Sequence, residues 1–102
     1  MFSGYKKIKT SIRGRGVYTL WVADTDKKRR LGLRGVKFLP RRHGMIFIYD
    51  QPVDHSFTMK DVRIPLTLIF LDRNFNIVDV VKARPGQISI TPKSKYNFVV
   101  EI

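Results

Sequence analysis

Ile64-Pro65-Leu66-Thr67-Leu68-Ile69-Phe70-Leu71-Asp72 is the stretch that decides the fold. Leu66 to Leu71 is strand-length and dense in large and β-branched apolar side chains, and Pro65 stands at its start, where a missing N–H is tolerated. Asp72-Arg73-Asn74-Phe75-Asn76 then turns the chain into a second apolar segment, Ile77 to Lys82, which predicts a hairpin. Upstream, Met45 to Tyr49 is a continuous apolar run, Phe57 and Met59 alternate with polar neighbours, and Tyr18 to Val22 alternates with aromatic and β-branched residues. Downstream, Arg84-Pro85-Gly86 and Thr91-Pro92-Lys93 are turns around a short Ile88–Ile90 strand. The closing stretch predicts a last strand with Tyr96, Phe98, Val100 and Ile102 on one face.

One helix interrupts this pattern. Ala23-Asp24-Thr25-Asp26 supplies N-cap residues, Lys27 to Leu33 forms the helix and Gly35 closes it. About six or seven short strands with one short helix near residues 25–33 predict a mostly β fold, a small closed or nearly closed antiparallel barrel or sandwich. Residues 1–16 read as a basic leader or first edge strand, in which Lys6, Ile8 and Thr10 alternate with Lys7 and Lys9. Residues 17–102 read as a single β-rich domain, and 102 residues suit one domain with a thin core.

The absence of cysteine removes disulfides, thiol nucleophiles and cysteine zinc sites, and fits a reducing compartment. No apolar segment resembles a secretory signal or approaches the ~20 residues of a spanning helix, so the expected location is cytoplasmic, without a membrane span.

The net charge is +12, unevenly distributed. Residues 1–43 hold thirteen basic side chains, Lys6, Lys7, Lys9, Arg13, Arg15, Lys27, Lys28, Arg29, Arg30, Arg34, Lys37, Arg41 and Arg42, against only Asp24 and Asp26. Residues 44–102 are close to neutral, with seven basic and six acidic residues. Such a field attracts polyanions. Lys27 and Lys28 at a helix N-terminus oppose the macrodipole, so local stability gives no reason for them, whereas phosphate contacts would. The bland alternative is a solvated face, or, for the leader, an edge strand whose lysines discourage sheet-to-sheet aggregation.

From Val22 to Ile102 the chain resembles the family known as domain of unknown function 192, an uncharacterised ancient conserved region. The resemblance rests on Ala23-Asp24-Thr25, Gly32-Leu33-Arg34, Leu39-Pro40, Gly44-Met45-Ile46-Phe47, Phe57-Thr58-Met59-Lys60-Asp61, Ile64 to Asp72, and Phe98-Val99-Val100-Glu101-Ile102, in the family's order. It implies a compact, mostly β fold and no particular activity. Four positions depart from the family pattern: Arg34 replaces a Met, Thr58 a Trp, Asp61 an Asn and Thr67 an Asp. A pocket of the family would involve Phe57, Met59, Lys60, Asp61 and Thr67, its chemistry altered by these changes.

Other constellations are weaker. His43 and His55 with Lys60 would suit acid–base cleavage of RNA, making a metal-independent ribonuclease the nearest enzyme reading, but exposed loop histidines are the favoured account. Asp50, Asp54 and His55 are hard-ligand types at a spacing that matches no known metal loop. No catalytic residue, metal or cofactor is therefore assigned. The leading expectation is a non-enzymatic module that contacts a polyanion, nucleic acid backbone above all, through the basic region. No motif for reading bases is present. The alternatives are a structural component of a large assembly such as a virion, with its other subunits as partners, and a small-ligand or carbohydrate pocket inherited from the family fold.

Overall fold

The computed structural model describes residues 2–102. Strands β1 (Lys7–Ile12) and β2 (Gly16–Ala23) form a hairpin, helix α1 (Asp26–Leu31) follows, and β3 (His43–Val53), β4 (Leu66–Leu71), β5 (Ile77–Ala83) and β6 (Tyr96–Glu101) complete the chain. The six strands make one sheet in the order β1-β2-β3-β6-β4-β5. Segment 1–16 thus contributes the sheet's first edge strand, with Ile8 opposite Leu20 and Thr10 opposite Tyr18.

The sheet is mixed rather than antiparallel throughout, because β2 and β3 run parallel. Parallel neighbours need a crossover, and α1 with the segment after it supplies one, returning the chain to the end of the sheet where β2 began. All other pairings are antiparallel. The sheet is open: β1 and β5 are its edges. It curls until residues of both edges, Ile8, Ile12 and Ile77, border one apolar groove of about 240 Å³.

Alternation along the strands sends side chains to two cores. Trp21, Met45, Phe47, Leu68, Phe70 and Val99 pack beneath α1 and the loops, where Leu33, Val36, Met59, Val62 and Ile90 cover them. Leu20, Val22, Ile46, Ile69 and Val100 fill the inside of the curl with Ile12. Central strand β6 is buried on both faces. Phe98, Val100 and Ile102 share the curled face as their spacing predicts, but Tyr96 packs with the other core. The register of β3 against β6 shifts between Ile48 and Val53, and Tyr96 lies beyond that shift.

The helix is shorter than expected. Thr25 is its N-cap and accepts from the Lys28 N–H, but Gly32, not Gly35, ends it. A side chain on Gly32, at φ +49°, would press against the Phe47 ring, which lies 3.3 Å from the position a Cβ would take. Ile88–Ile90 is not a strand; Ile90 alone forms a bridge, with Phe57.

Gly44 lies where β3 meets β6, and a Cβ there would run into the Glu101 carbonyl and the Ile102 side chain. Replacing it with alanine forces these strands apart. Gly44→Ala is expected to destabilise the protein by about 1–3 kcal/mol, read as a lowered midpoint in urea unfolding. An unchanged midpoint would show that the two strands tolerate wider spacing.

Candidate functional site

Besides the apolar groove between the sheet edges, two concave sites carry charged side chains at their borders, and they differ in chemistry. The first is a cleft of about 410 Å³ beneath α1. Its apolar wall comes from β3 and the following loop: Phe47, Tyr49 and Phe57. These rings are held edge to face, Phe57 on Phe47 at 5.4 Å and Tyr49 on Tyr96 at 5.7 Å between centroids. Such contacts fix ring orientation beyond simple burial. Tyr96 anchors the wall from below, its hydroxyl donating to the His55 carbonyl at 2.7 Å.

Glu101 forms part of this cleft although it is only 4% exposed. It lies on β6 with the parity of Val99, so its side chain enters the core under α1. Among the described residues no hydrogen bond or ion pair reaches its carboxyl, and burial pushes its pKa up to about 8. The acid is therefore mostly uncharged at neutral pH. Tyr49 beside it is pushed up to about 12, by burial first, with Arg29 opposing and Glu101 adding to the rise.

Arginines from α1 and the next segment border the same cleft. Arg29 is committed to the fold: it donates to the Ile48 carbonyl at 2.7 Å, pairs with Asp26 at 2.7 Å and lies over the Tyr49 ring. Arg30 is exposed and makes no such contact, and Arg34 approaches only Asp61, at 3.8 Å.

The second site follows from topology. The β1–β2 turn, the start of β3, the start of β4 and the ends of β5 and β6 all meet at one end of the sheet. That end carries Arg13 and Arg15 in the turn, Arg41 and Arg42 before β3, Arg63 before β4 and Arg84 after β5. Asp24, Asp26, Asp50, Asp54 and Asp72 follow or occupy the opposite strand ends. A groove of about 440 Å³ at the basic end includes Arg15, Lys37, Arg42 and His43 with Phe38, and no acidic side chain lines it. Arg42 is braced there, donating to the Arg15 carbonyl at 2.9 Å and resting over Tyr18.

The thirteen basic residues consequently fall into several groups. Arg13, Arg15, Lys37, Arg41 and Arg42 gather at the basic end, Arg29, Arg30 and Arg34 border the cleft, and Lys6, Lys7 and Lys9 stand exposed along the leader and β1. Lys27 is exposed at the start of α1. Lys28 has a local role that the sequence does not suggest: its ammonium donates to the Gly4 carbonyl at 3.1 Å and sits over Tyr5, tying the leader to the helix.

The five family-pocket positions do not form one pocket. Phe57 borders the cleft, whereas Met59 is fully buried core. Lys60 and Asp61 sit in an exposed turn rather than on a strand, with Asp61 at φ +62°. Thr67 belongs to the basic groove, its backbone paired with Ile102. His43 and His55 border different sites, so they do not converge as an acid–base pair. Among the described residues no three His, Asp or Glu side chains form a metal-holding group, and no helix is long and apolar enough to cross a membrane.

Glu101 makes stability depend on pH in a definite direction. The folded chain keeps this proton to about pH 8, whereas the unfolded chain releases it near the ordinary 4.5. The stability tied to the proton is fully present below 4.5 and lost as pH rises through 8, a decline of roughly 3–5 kcal/mol. Glu101→Gln should flatten that decline in urea unfolding measured from pH 5 to 9. An equally steep decline in the variant would assign it to other groups.

The fold matches solved structures along its whole length. A protein of unknown function from Novosphingobium aromaticivorans superposes with a TM-score of 0.86 at 23% identity, covering 98% of this chain and 75% of that one. A protein from Sinorhizobium meliloti, described as a candidate transcription regulator, gives 0.85 at 20% identity, covering 100% and 84%. At these identities the likeness is one of fold. In sequence, the UPF0127 protein PH1112 of Pyrococcus horikoshii is 34% identical over 85 residues, 78% of this chain and 68% of the relative. The family model described as uncharacterized ACR matches residues 8–102, so the family region includes β1 and begins well before Val22. With that match over nearly its whole length, the chain belongs to the DUF192 family.

Proposed function

We propose that the protein is a binding module for polyanions, with nucleic acid backbone as the preferred ligand, and that the basic end of the sheet is its contact surface. The observation that carries this reading is the acid-free groove in which Arg15, Lys37 and Arg42 are brought together from the β1–β2 turn and the segment before β3. These residues are distant in sequence, and the parallel β2–β3 pairing is what makes them neighbours.

Electrostatics favours the reading over a merely solvated face. Like charges crowded at one end repel one another, and phosphates relieve that repulsion while releasing condensed counterions. Arg42 is held by the Arg15 carbonyl, so part of its side-chain freedom is already lost before any ligand arrives. Arg63 and Arg84 extend the surface toward β4 and β5. Contacts of this kind grip a backbone without reading its sequence.

The test is a salt titration with single-stranded and duplex DNA and RNA. Contact with about 4–6 phosphates gives a slope of log K against log salt near −4 to −5. Lys37→Ala and Arg41→Ala, both at exposed positions, should each reduce the slope by about one. Glu101→Gln, in the other site, should leave it unchanged. A flat salt dependence, or no binding at 50 mM salt, would contradict the proposal.

A further inference from the structure

We infer that the cleft beneath α1 is a second binding site, one for a nucleotide-like small molecule whose heterocyclic edge pairs with the Glu101 carboxyl and whose anionic group lies at Arg30 and Arg34. The site shares no lining residue with the basic groove and does not depend on it.

The first support is placement. Glu101 is 4% exposed and borders the cleft, so the little surface it keeps faces that cavity. Polar groups set this deep are met by hydrogen-bonding partners, and here the cleft is the side from which a ligand can supply one. The second support is the acid's protonation. With its pKa raised to about 8 by burial, the carboxyl at neutral pH offers one O–H donor beside one carbonyl acceptor. Adenine and cytosine present the complement, an exocyclic N–H beside a ring nitrogen.

The walls fit the remainder of such a molecule. Phe47, Tyr49 and Phe57 border a flat ring with aromatic surface, as in sites that read an isolated base by edge pairing and aromatic contact. With Arg29 held by Ile48 and Asp26, the cations at the cleft's edge are Arg30, which is exposed, and Arg34, whose exposed partner Asp61 stands 3.8 Å away. About 410 Å³ lies within the range of small-ligand pockets. A neutral sugar would leave these two arginines without a role, and an ammonium ligand would meet their repulsion on entry.

The charged and titratable groups bordering the cleft besides Glu101 are Tyr49 from β3, Asp26, Arg29 and Arg30 from α1, Arg34 beyond it, and His55 after β3. Strand β4, which pairs with Glu101, contributes no charge. Tyr49, pushed up to about 12, keeps its proton throughout the range tested below.

The experiment is calorimetric titration of the full chain with AMP, CMP and putrescine at pH 7 and pH 9. Neither AMP nor CMP changes its own protonation appreciably in that interval. One of the two nucleotides should bind at pH 7 and weaken about tenfold by pH 9 as the acid loses its donor. Glu101→Gln keeps a donor beside an acceptor, so it should bind within about threefold of the wild type at pH 7 and lose the pH dependence. Glu101→Leu, with folding verified by circular dichroism, should lose at least about tenfold at pH 7 while keeping the salt slope on DNA. The inference is overturned if neither nucleotide binds at millimolar concentration, if affinity rises with pH, if Glu101→Gln abolishes binding, or if putrescine binds more tightly than either nucleotide.

Discussion

Strand β6 is the constraint on which the rest of the structure depends. It is hydrogen-bonded on one edge to β3 and on the other to β4, and it is buried on both faces. Both cores therefore meet on one six-residue strand: Val99 serves the core beneath α1 and Val100 the core inside the curl. Close approach of β3 requires the absence of a side chain at Gly44. A strand held this tightly leaves little room for relaxation around any polar group it carries, and the group it carries is Glu101.

A carboxyl in that position is costly to stability. Desolvation penalises its ionised form, and the surroundings supply no compensating cation, since Arg29 is directed to Ile48 and Asp26 instead. An apolar residue of similar size would suit the core better on packing grounds alone. That mismatch, next to a cleft walled by three aromatic rings, separates Glu101 from the remaining acids of the chain. Asp72, for example, is half-buried and accepts from the Asn74 and Asn76 backbones, and the Asn76 bond above all holds its pKa below the ordinary value. Those bonds shape the β4–β5 turn.

Much of the fold is legible from local pattern. The Leu66–Leu71 strand, its hairpin partner and the Thr25-capped helix all follow from periodicity and turn chemistry, because each is set by neighbours in sequence. The parallel β2–β3 pairing is not legible that way, since strand direction depends on where the crossover returns. The candidate sites were less readable for the same reason. The basic charge is plain in the sequence, but the meeting of Arg15, Lys37 and Arg42 at one groove is a product of topology. Glu101 had a signal of its own: Phe98, Val99 and Val100 form an unbroken apolar run, the mark of a strand buried on both faces, and such a strand leaves its last polar residue no solvent side. The period-two face of Tyr96, Phe98, Val100 and Ile102 does not include Glu101. Met59 misled in the opposite direction, as a pocket position by resemblance that packing places in the solid core.

The positive charge is divided between two places, with Arg15, Lys37 and Arg42 at the basic groove and Arg29, Arg30 and Arg34 at the cleft. At the basic end the arginines stand beside strand termini, whereas at the cleft Arg30 and Arg34 border a cavity that also includes the buried acid Glu101. The chemistry of the cleft depends on the state of that acid. A carbon-13 NMR titration of the Glu101 side-chain carboxyl in the folded protein tests it most directly. A single inflection near pH 8 is the predicted result. An inflection near the ordinary 4.5 would show Glu101 solvated or paired, and would contradict it.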